Sequence, residues 1–434
     1  MQRVIINELG PISHAEISCN KWMVFTGSQS SGKSTVAKVL YFFRTVKDDI
    51  FSLIIKRATI MDEWVLIPDE FLHALSEELQ EKFIRVFGSY WGLHKGMRLE
   101  YYYDEETFIK IAPKKNRYDS IGANSIEYSP NITEFLLRCD NTSGNCTASF
   151  PNEEKALIRE ELGNLFKDKS ENIYIPAGRS MITLLALQLN YIYSTMEDSQ
   201  KQTIDFCTRR YLENIIRLRP EFQNGLTGLE NTNPLKTKRN KPVLDLAKKL
   251  AREILKGSYN YQNGDERLVI SSEKSVSIGF ASSGQQEVVW ILNLLFYYML
   301  HGKPATFIIE EPESNLFPAS QKLIIDFIAL AGNAGHNVIL TTHSPYVLGS
   351  INNLLFAGQI PEEKQAKANE IVNEQFWIQT KALSGWFIKD GAAENCIDAE
   401  LGLIQNELID EISTAINRDF DSLLGLMPQS EGDE

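Results

Sequence analysis

The chain has 434 residues and a net charge of −13, and 43% of its residues are hydrophobic. This length allows two or three domains with large cores, so neither disulfides nor a metal is needed for stability. An acidic protein is not drawn to nucleic acid by its overall field, so any such contact must use local basic patches.

Cysteine usage and hydropathy indicate an intracellular protein. The five cysteines are scattered without a Cys-x-x-Cys pair, which is typical of a reducing compartment and argues against a zinc site. No apolar run reaches the roughly 18 residues that a membrane-spanning helix needs, and the best run, Val288 to Leu300, contains Asn293. The first residues lack the apolar core of a signal peptide. We therefore expect a cytoplasmic protein without a membrane contact.

The first elements of the chain predict strands around a glycine-rich loop. Val4 to Asn7 and Ala15 to Ser18 are short apolar runs on either side of the turn signal Gly10-Pro11, which predicts a β-hairpin. Trp22 to Thr26 is a third apolar run, and the glycine-rich loop follows it directly. Val36 to Arg44 then has helical character.

The middle of the chain is less regular. Arg98 to Tyr103 with Thr107 to Ala112 predicts another hairpin, and a polar stretch from Lys114 to Ser129 follows. Helices are predicted from about Pro151 to Lys167 and from Ser180 to Tyr193. A short strand, residues 173–175, lies between these two helices, and residues 199–260 are predicted to be helical with a polar break at 223–241.

The C-terminal part alternates between helices and strands. A hairpin, Arg267 to Ser271 with Ser275 to Phe280, comes first. Strands are then predicted at Thr306 to Ile309 and Val338 to Leu340, each between helices, and a last helix runs from about Glu400 to Leu426. Such alternation is typical of a parallel sheet covered by helices.

The glycine-rich loop matches the phosphate-binding pattern G-x-x-x-x-G-K-[ST]. Its glycines let successive N–H groups point at phosphates, and the following helix offers its positive N-terminal end. Lys33 is expected to reach the β- and γ-phosphates, and the Ser34 hydroxyl is expected to bind Mg²⁺. The loop alone does not distinguish a GTPase, a kinase or an ATPase. The residues expected to bind the nucleotide here are Gly27, Ser28, Gln29, Ser30, Ser31, Gly32, Lys33, Ser34 and Thr35.

Acidic residues and a histidine follow two later strands and predict ATP hydrolysis. Glu310 ends a buried strand and is positioned to hold Mg²⁺, directly or through water. Glu311 follows it and can polarise the attacking water. His343 ends the next strand, where ligands bind in open α/β sheets, and could donate to the γ-phosphate. We expect Glu311 and His343 to be catalytic.

In combination these motifs resemble those of the ABC ATPase superfamily. SSGQQE (residues 282–287) is similar to its signature motif, IIEEPESNLFP (308–318) to its Walker B motif and D-loop, and TTHSPY (341–346) to its switch histidine. EEPE, THSP and the PAGR segment at 176–179 resemble the SMC, RecF and overcoming-lysogenization-defect ATPases more than transporters.

The resemblance implies an α/β fold, an ATPase head with a mixed or parallel sheet flanked by helices. It implies an N-terminal antiparallel β lobe, a core formed by residues 1–45 and 261–434, and a largely helical α+β insertion at 46–260. Two heads are expected to pack face to face as a homodimer, with each ATP between one P-loop and the other head's signature. That motif would contribute Ser282, Ser283, Gly284 and Gln285.

The sequence departs from the family pattern at three points. Glu310 stands where Walker B motifs usually have aspartate, although a longer carboxylate still allows metal contact. The D-loop reads Asn-Leu-Phe-Pro at 315–318, where this group usually has His-Leu-His-Pro. The glutamine of the Q-loop has no clear counterpart, because Gln29 lies inside the P-loop.

The resemblance also implies a role, by analogy alone. Stand-alone ATPases of this group work as sensors, scaffolds or motors with a separate nuclease or toxin, in DNA repair or bacterial antiphage defence. Two alternatives stay open: an ATP-dependent nuclease with its own catalytic site within 46–170, and an ABC transporter subunit. DNA contact has weak local support from two basic groups, which are equally compatible with a solvated helix face and a flexible loop: Lys114, Lys115 and Arg117, and Lys236, Lys238, Arg239, Lys241, Lys248, Lys249, Arg252 and Lys256. Arg179 is expected either to sense DNA or nucleotide or to form a structural salt bridge.

Overall fold

The computed structural model describes residues 1–60, 68–89, 93–115, 121–142, 152–183, 205–405 and 417–423. They form two sheets and helices on both sides of the larger sheet. The strands are β1 (Arg3–Leu9), β2 (Ile12–Ser18), β3 (Trp22–Thr26), β4 (Arg98–Tyr102), β5 (Phe108–Lys115), β6 (Ile121–Tyr128), β7 (Glu171–Ile175), β8 (Ser258–Gln262), β9 (Asp265–Val269), β10 (Ser275–Ser277), β11 (Ala305–Glu310), β12 (Asn337–Thr341), β13 (Leu383–Lys389) and β14 (Ala392–Asn395).

The helices lie on both faces of the large sheet. They are α1 (Lys33–Arg44), α2 (Val46–Ile60), α3 (Pro68–Phe87), α4 (Pro130–Thr142), α5 (Asn152–Leu165), α6 (Phe206–Leu218), α7 (Gly225–Thr232), α8 (Pro234–Leu255), α9 (Ser283–His301), α10 (Pro318–Asn333), α11 (Pro345–Ala357) and α12 (Glu362–Ile371). In the described residues none of them is long and apolar enough to cross a membrane.

The larger sheet of the described residues has 11 strands in the order β6-β5-β4-β1-β2-β14-β13-β3-β12-β11-β7. One half, β6 to β2, is antiparallel, and the other half, β13 to β7, is parallel. β14 joins the two halves, pairing with β13 and, at Ala392, with His14 of β2. The predicted α/β class, with an antiparallel N-terminal lobe and a mixed sheet, is confirmed.

Burial on both faces explains the unbroken apolar runs of the central strands. All five residues of β3 are buried, and they alternate between two hydrophobic cores. Trp22 and Val24 face the core that contains α9, α10 and α11, while Met23 and Phe25 face the core that contains α1. Strands covered on both faces in this way have no polar side to show in sequence.

The segment 46–260, expected to be an insertion, contributes β4 to β7 to the common sheet. Its polar stretch at 114–129 forms most of β6, which pairs with β5 from Lys115 back to Ile109. The predicted polar break at 223–241 is wrong, because α7 and α8 occupy most of it. The helix predicted from Ser180 starts there, but its part beyond residue 183 lies outside the described residues.

The expected start of the last helix at Glu400 is also wrong. The Asp398 carboxylate accepts hydrogen bonds from the backbone N–H groups of Glu400 and Leu401 at 2.9 and 2.7 Å. Ile397 and Ile404 then form an isolated β-bridge. An aspartate that captures local N–H groups offers the backbone an alternative to helix. Residues 406–416 of the predicted helix lie outside the described residues.

A buried histidine makes stability depend on pH. His336 is 1% exposed, and neither ring nitrogen has a hydrogen-bond partner among the described residues. Its ring packs edge-on against Phe307 and Tyr298, with centroids 5.5 and 6.4 Å away. Burial, and to a smaller extent the charge of Lys21, lowers the pKa of His336 from 6.5 to about 4. The fold therefore holds this imidazole neutral.

We expect the free energy of unfolding to fall as the pH drops below 6.5, because the unfolded chain then binds a proton that the folded chain refuses. The loss continues down to about pH 4, and this group contributes about 2 kcal/mol of it at pH 5. Urea unfolding at pH 7.5 and pH 5 measures the loss. His336→Phe, which keeps an aromatic ring in the same place, should reduce it by that amount. If the free energy of unfolding fell equally in the unmodified protein and in His336→Phe, groups other than His336 would cause the pH dependence.

Candidate functional site

The P-loop, the acids after β11 and His343 meet at the carboxyl edge of the parallel half of the sheet. The P-loop follows β3, Glu311 follows β11, and the segment 342–344 follows β12, the strand between them. The PAGR segment follows β7, which is the neighbour of β11. Because parallel strands end at one edge, this is the place where open α/β sheets bind ligands.

The P-loop has a backbone that only glycine permits at two positions. Gly27 has a φ of 141°, and a Cβ there would lie 2.3 Å from the Ile388 carbonyl oxygen. Gly32 has a φ of 113° and forms the N-cap of α1. The Lys33 ammonium donates to the carbonyl oxygens of Gly27 and Ser28 at 2.9 and 2.6 Å. The loop thus folds around its lysine.

Lys33 is buried next to acidic residues. Burial lowers the pKa of its ammonium, while the charges of Glu311, Glu313 and Glu310 counteract that shift. Ser34, at the start of α1, is exposed. The loop residues Ser28, Gln29 and Ser30 are exposed as well. A phosphate ligand arriving from solvent would therefore meet exposed N–H and hydroxyl groups with an ammonium behind them.

Glu310 has one oxygen that nothing in the described residues satisfies. It is 5% exposed, and its Oε2 accepts from the Ala177 N–H at 3.1 Å. Its Oε1 is buried without a partner, a state that costs free energy. Other buried oxygens of the loop and strand ends share this state: Thr26 Oγ1, Ser31 Oγ, Glu313 Oε2 and Thr341 Oγ1.

These orphaned oxygens fit a metal ion and a polar ligand. Mg²⁺ prefers oxygen ligands and commonly uses one or two carboxylates together with substrate phosphates. The Glu310 carboxylate and the Ser34 hydroxyl are the groups that could hold it. Glu310 is one methylene longer than the usual aspartate, and its free Oε1 shows that the longer side chain leaves an oxygen for this purpose.

Glu311 forms a half-exposed pair with His343. Its Oε2 lies 3.6 Å from His343 Nε2 and accepts from the Ser314 hydroxyl at 3.3 Å. Its backbone is left-handed, with a φ of 43°. The N–H donates to the Thr341 carbonyl, and the carbonyl accepts from Arg179, both at 2.9 Å. The carboxylate can thus act as a base towards water, and the imidazole can contact a phosphate.

Glu313 is a site residue that the sequence analysis missed. It is buried, and its Oε1 accepts from the Thr342 hydroxyl at 2.6 Å and from the His343 N–H at 3.1 Å. Burial raises the pKa of Glu313, and the hydrogen bond from Thr342 opposes this shift. Glu313 therefore fixes the backbone that carries His343. Its only signal in the sequence is a third glutamate in the segment IIEEPE.

The signature residues form the start of α9. Ser282 is its N-cap, and Ser282 and Gln285 form a capping box. A Cβ on Gly284 would lie 2.6 Å from the Asn315 carbonyl oxygen, so only glycine allows the D-loop to pack here. Ser282 and Ser283 are exposed. In the described residues no hydrogen bond joins this motif to the P-loop of the same chain.

The basic residues fall into different environments. The basic residues between Lys236 and Arg252 all lie on one helix, α8, and Lys256 is the C-cap of that helix. Lys241 and Lys248 make ion pairs with Asp245 and Glu230. Arg179 is fully buried in an ion pair with Glu287 and is not available at the surface. Lys114 and Lys115 belong to β5, and residue 117 lies outside the described residues.

Comparison with solved structures gives similar chains at low identity. An Smc head bound to the C-winged helix domain of ScpA is 10% identical over 91% of this chain and 95% of that chain, with a TM-score of 0.41. An Smc head from Pyrococcus furiosus, bound to the C-terminal domain of ScpA, is 11% identical over 96% and 100%, with a TM-score of 0.38. The SMC head of Thermotoga maritima is 11% identical over 91% and 97%, with a TM-score of 0.35.

No curated protein matches the sequence. A family model described as AAA ATPase domain matches residues 1–348, which is most of the chain. That stretch contains the P-loop, the signature segment, the acids after β11 and His343. The chain therefore belongs to the AAA ATPase domain family, and it is a P-loop ATPase.

Proposed function

We propose that the chain is an ATPase head that binds and hydrolyses ATP between two copies of itself. The observation that carries this proposal is the grouping of Lys33, Glu310, Glu311 and His343 at one sheet edge, with buried oxygens that lack partners. Such atoms are satisfied when a polar ligand or metal binds. ATP with Mg²⁺ supplies both, and the family match agrees with this choice.

In the proposed reaction each residue has one task. The P-loop N–H groups and Lys33 hold the phosphates. Glu310 and Ser34 are the residues that would hold Mg²⁺, and the ion would supply positive charge to the phosphate oxygens. Glu311 accepts a proton from the water that attacks the γ-phosphorus, and ADP and phosphate leave. His343, whose backbone Glu313 fixes, donates to the γ-phosphate.

Exposed apolar side chains around the signature segment support a second copy as the partner. Phe280, two residues before the motif, is 87% exposed, and Phe317 of the D-loop is 77% exposed. Tyr346, after the switch histidine, is 56% exposed. Clustered exposed aromatic residues mark protein contacts. A symmetric dimer would use this one surface on both partners and bring the exposed Ser283 to the other copy's P-loop.

Light scattering on Glu311→Gln tests the pairing. This variant should bind ATP without turning it over, so adding Mg²⁺ and ATP should raise the mass from one chain to two, or tighten an existing dimer. Adding Ser283→Arg should abolish the change, since it places bulk and charge where the partner's phosphate docks. Ser272→Arg, an exposed serine in the turn between β9 and β10, is the matched control. Trapped ATP without any change in association would contradict the pairing.

We further propose that the head works with a separate effector, a nuclease or toxin, in DNA repair or antiphage defence. The support is the motif resemblance alone. DNA contact would use the exposed basic residues of α8, among them Lys238, Arg239 and Lys249. Incubating the pure protein with Mg²⁺, ATP and plasmid tests whether DNA cleavage requires a separate effector. Cutting without a partner would favour the alternative, an ATP-dependent nuclease.

A further inference from the structure

Arg179 is a buried arginine that connects three parts of the site. Its Nη1 donates to the carbonyl oxygens of Pro176 and Glu310 at 2.6 and 2.5 Å, and its Nη2 donates to that of Glu311 at 2.9 Å. Its Nε donates to the Glu287 carbonyl at 3.0 Å. The side chain is 0% exposed, so these contacts exclude water.

Glu287 completes the connection from the side of α9. It is 2% exposed and lies one helical turn after Ser283, where α9 begins. Its Oε2 accepts from the Arg179 N–H at 3.0 Å and lies 3.3 Å from Arg179 Nε, while its Oε1 accepts from the Ser180 N–H at 3.1 Å. Both oxygens are used, as a buried ion pair requires.

The contact with Glu311 bears on catalysis because of the backbone conformation there. Left-handed φ values are unfavourable for a residue with a Cβ, and Glu311 has a φ of 43°. Two hydrogen bonds hold the peptide groups of Glu311. Its N–H donates to the Thr341 carbonyl, and its carbonyl accepts from Arg179 Nη2. Since φ sets the direction of the Cβ, Arg179 helps to decide where the Glu311 carboxylate points.

We propose that Arg179 and Glu287 form a relay that couples the signature segment to the position of the Glu311 carboxylate. A phosphate that docks on Ser283 would shift the start of α9, and Glu287 would move with it. The guanidinium, whose three nitrogens all donate hydrogen bonds, would transmit that shift to the carbonyl groups of Glu310 and Glu311. Hydrolysis would then respond to the second head, so this inference rests on the proposed function.

Arg179→Lys tests the relay, because lysine keeps the charge but lacks the planar fork that reaches several carbonyls at once. We expect turnover to fall by about 10²-fold, the effect of a displacement near 1 Å in an active site. The KD for ATP should stay within about twofold, since Arg179 donates to no P-loop atom among the described residues.

The decisive readout is turnover per chain against protein concentration, with light scattering on the same samples. In the unmodified protein turnover should rise as heads associate. In Arg179→Lys, turnover per chain should not rise with protein concentration. The double variant Arg179→Lys/Glu311→Gln should nevertheless still form dimers when ATP is added. Glu287→Gln is a milder change in the same ion pair and should give the same pattern. It provides a second test if Arg179→Lys does not fold.

The matched control is Arg219→Lys, which breaks another buried ion pair. Arg219 Nη2 lies 2.9 Å from Glu266 Oε2, and both side chains are almost fully buried. This change should lower thermal stability but leave the rise of turnover with association intact. Arg179→Lys dimers that hydrolyse ATP as fast as the unmodified protein would overturn the relay. If Arg179→Lys lost ATP binding as well as turnover, the relay would also be overturned, because Arg179 would then have a purely structural role. Failure of Glu311→Gln itself to associate would instead count against the proposed function.

Discussion

Glu311→Gln is expected to lower the rate of ATP hydrolysis by about 10²- to 10⁴-fold, the usual contribution of a positioned acid–base group. The amide keeps the shape of the side chain and its hydrogen bonding but cannot take a proton from water. Glu311 is suited to that task because its side chain is 28% exposed and its carboxylate lies 3.6 Å from His343 Nε2.

The measurement is phosphate release under saturating ATP, combined with equilibrium binding of ATP. Binding should survive, since the charge of Lys33 and the loop N–H groups are unchanged. Asp326→Asn is a useful control, because Asp326 is a buried acid of α10 whose carboxylate pairs with Lys322. Normal hydrolysis in Glu311→Gln would assign the base elsewhere, and Glu310 would be the first residue to examine.

Lys33→Ala is expected to abolish ATP binding or hydrolysis. The Lys33 ammonium interacts with Glu311, Glu313 and Glu310, and without it a phosphate would meet three carboxylates without the ammonium of the P-loop. The loss of a buried charge partner is more costly than the loss of an exposed one, because water screens the remaining charges poorly.

The measurement is ATP binding by calorimetry together with turnover. Lys38→Ala is the matched control on the next turn of α1, where Lys38 makes an ion pair with Asp205 at 2.8 Å. That variant should lose some stability and keep ATP binding. Unchanged turnover in Lys33→Ala would remove the P-loop from the proposed mechanism.

The sequence predicts those parts of the fold and site whose signals are local. The P-loop depends on glycines at fixed spacing, and the structure places Gly27 and Gly32 in backbone conformations that favour glycine. The central strands are apolar without interruption because both of their faces are buried. A strand followed by acids also shows itself in a few consecutive residues, so Glu310 and Glu311 were found.

Features that depend on distant contacts could not be predicted. β6 is polar in sequence and exists because it pairs with β5. Arg179 contacts residues more than 100 positions away, and one sequence does not show which partner a lone arginine will meet. Glu313 acts on His343 from 30 positions away. Asp398 replaced an expected helix start because its side chain captures two N–H groups.

The central claim is that each ATP is hydrolysed at a site built from two copies of the chain. Mixing two inactive variants tests it most directly. Lys33→Ala keeps the signature segment and loses the P-loop, while Ser283→Arg keeps the P-loop and loses the signature segment. In a mixed dimer one of the two sites combines both intact halves. Equal amounts of the two variants should therefore recover up to about a quarter of the unmodified turnover, as expected for random pairing in a symmetric dimer. A mixture as inactive as its separate components, with mixed dimers present, would contradict a shared site.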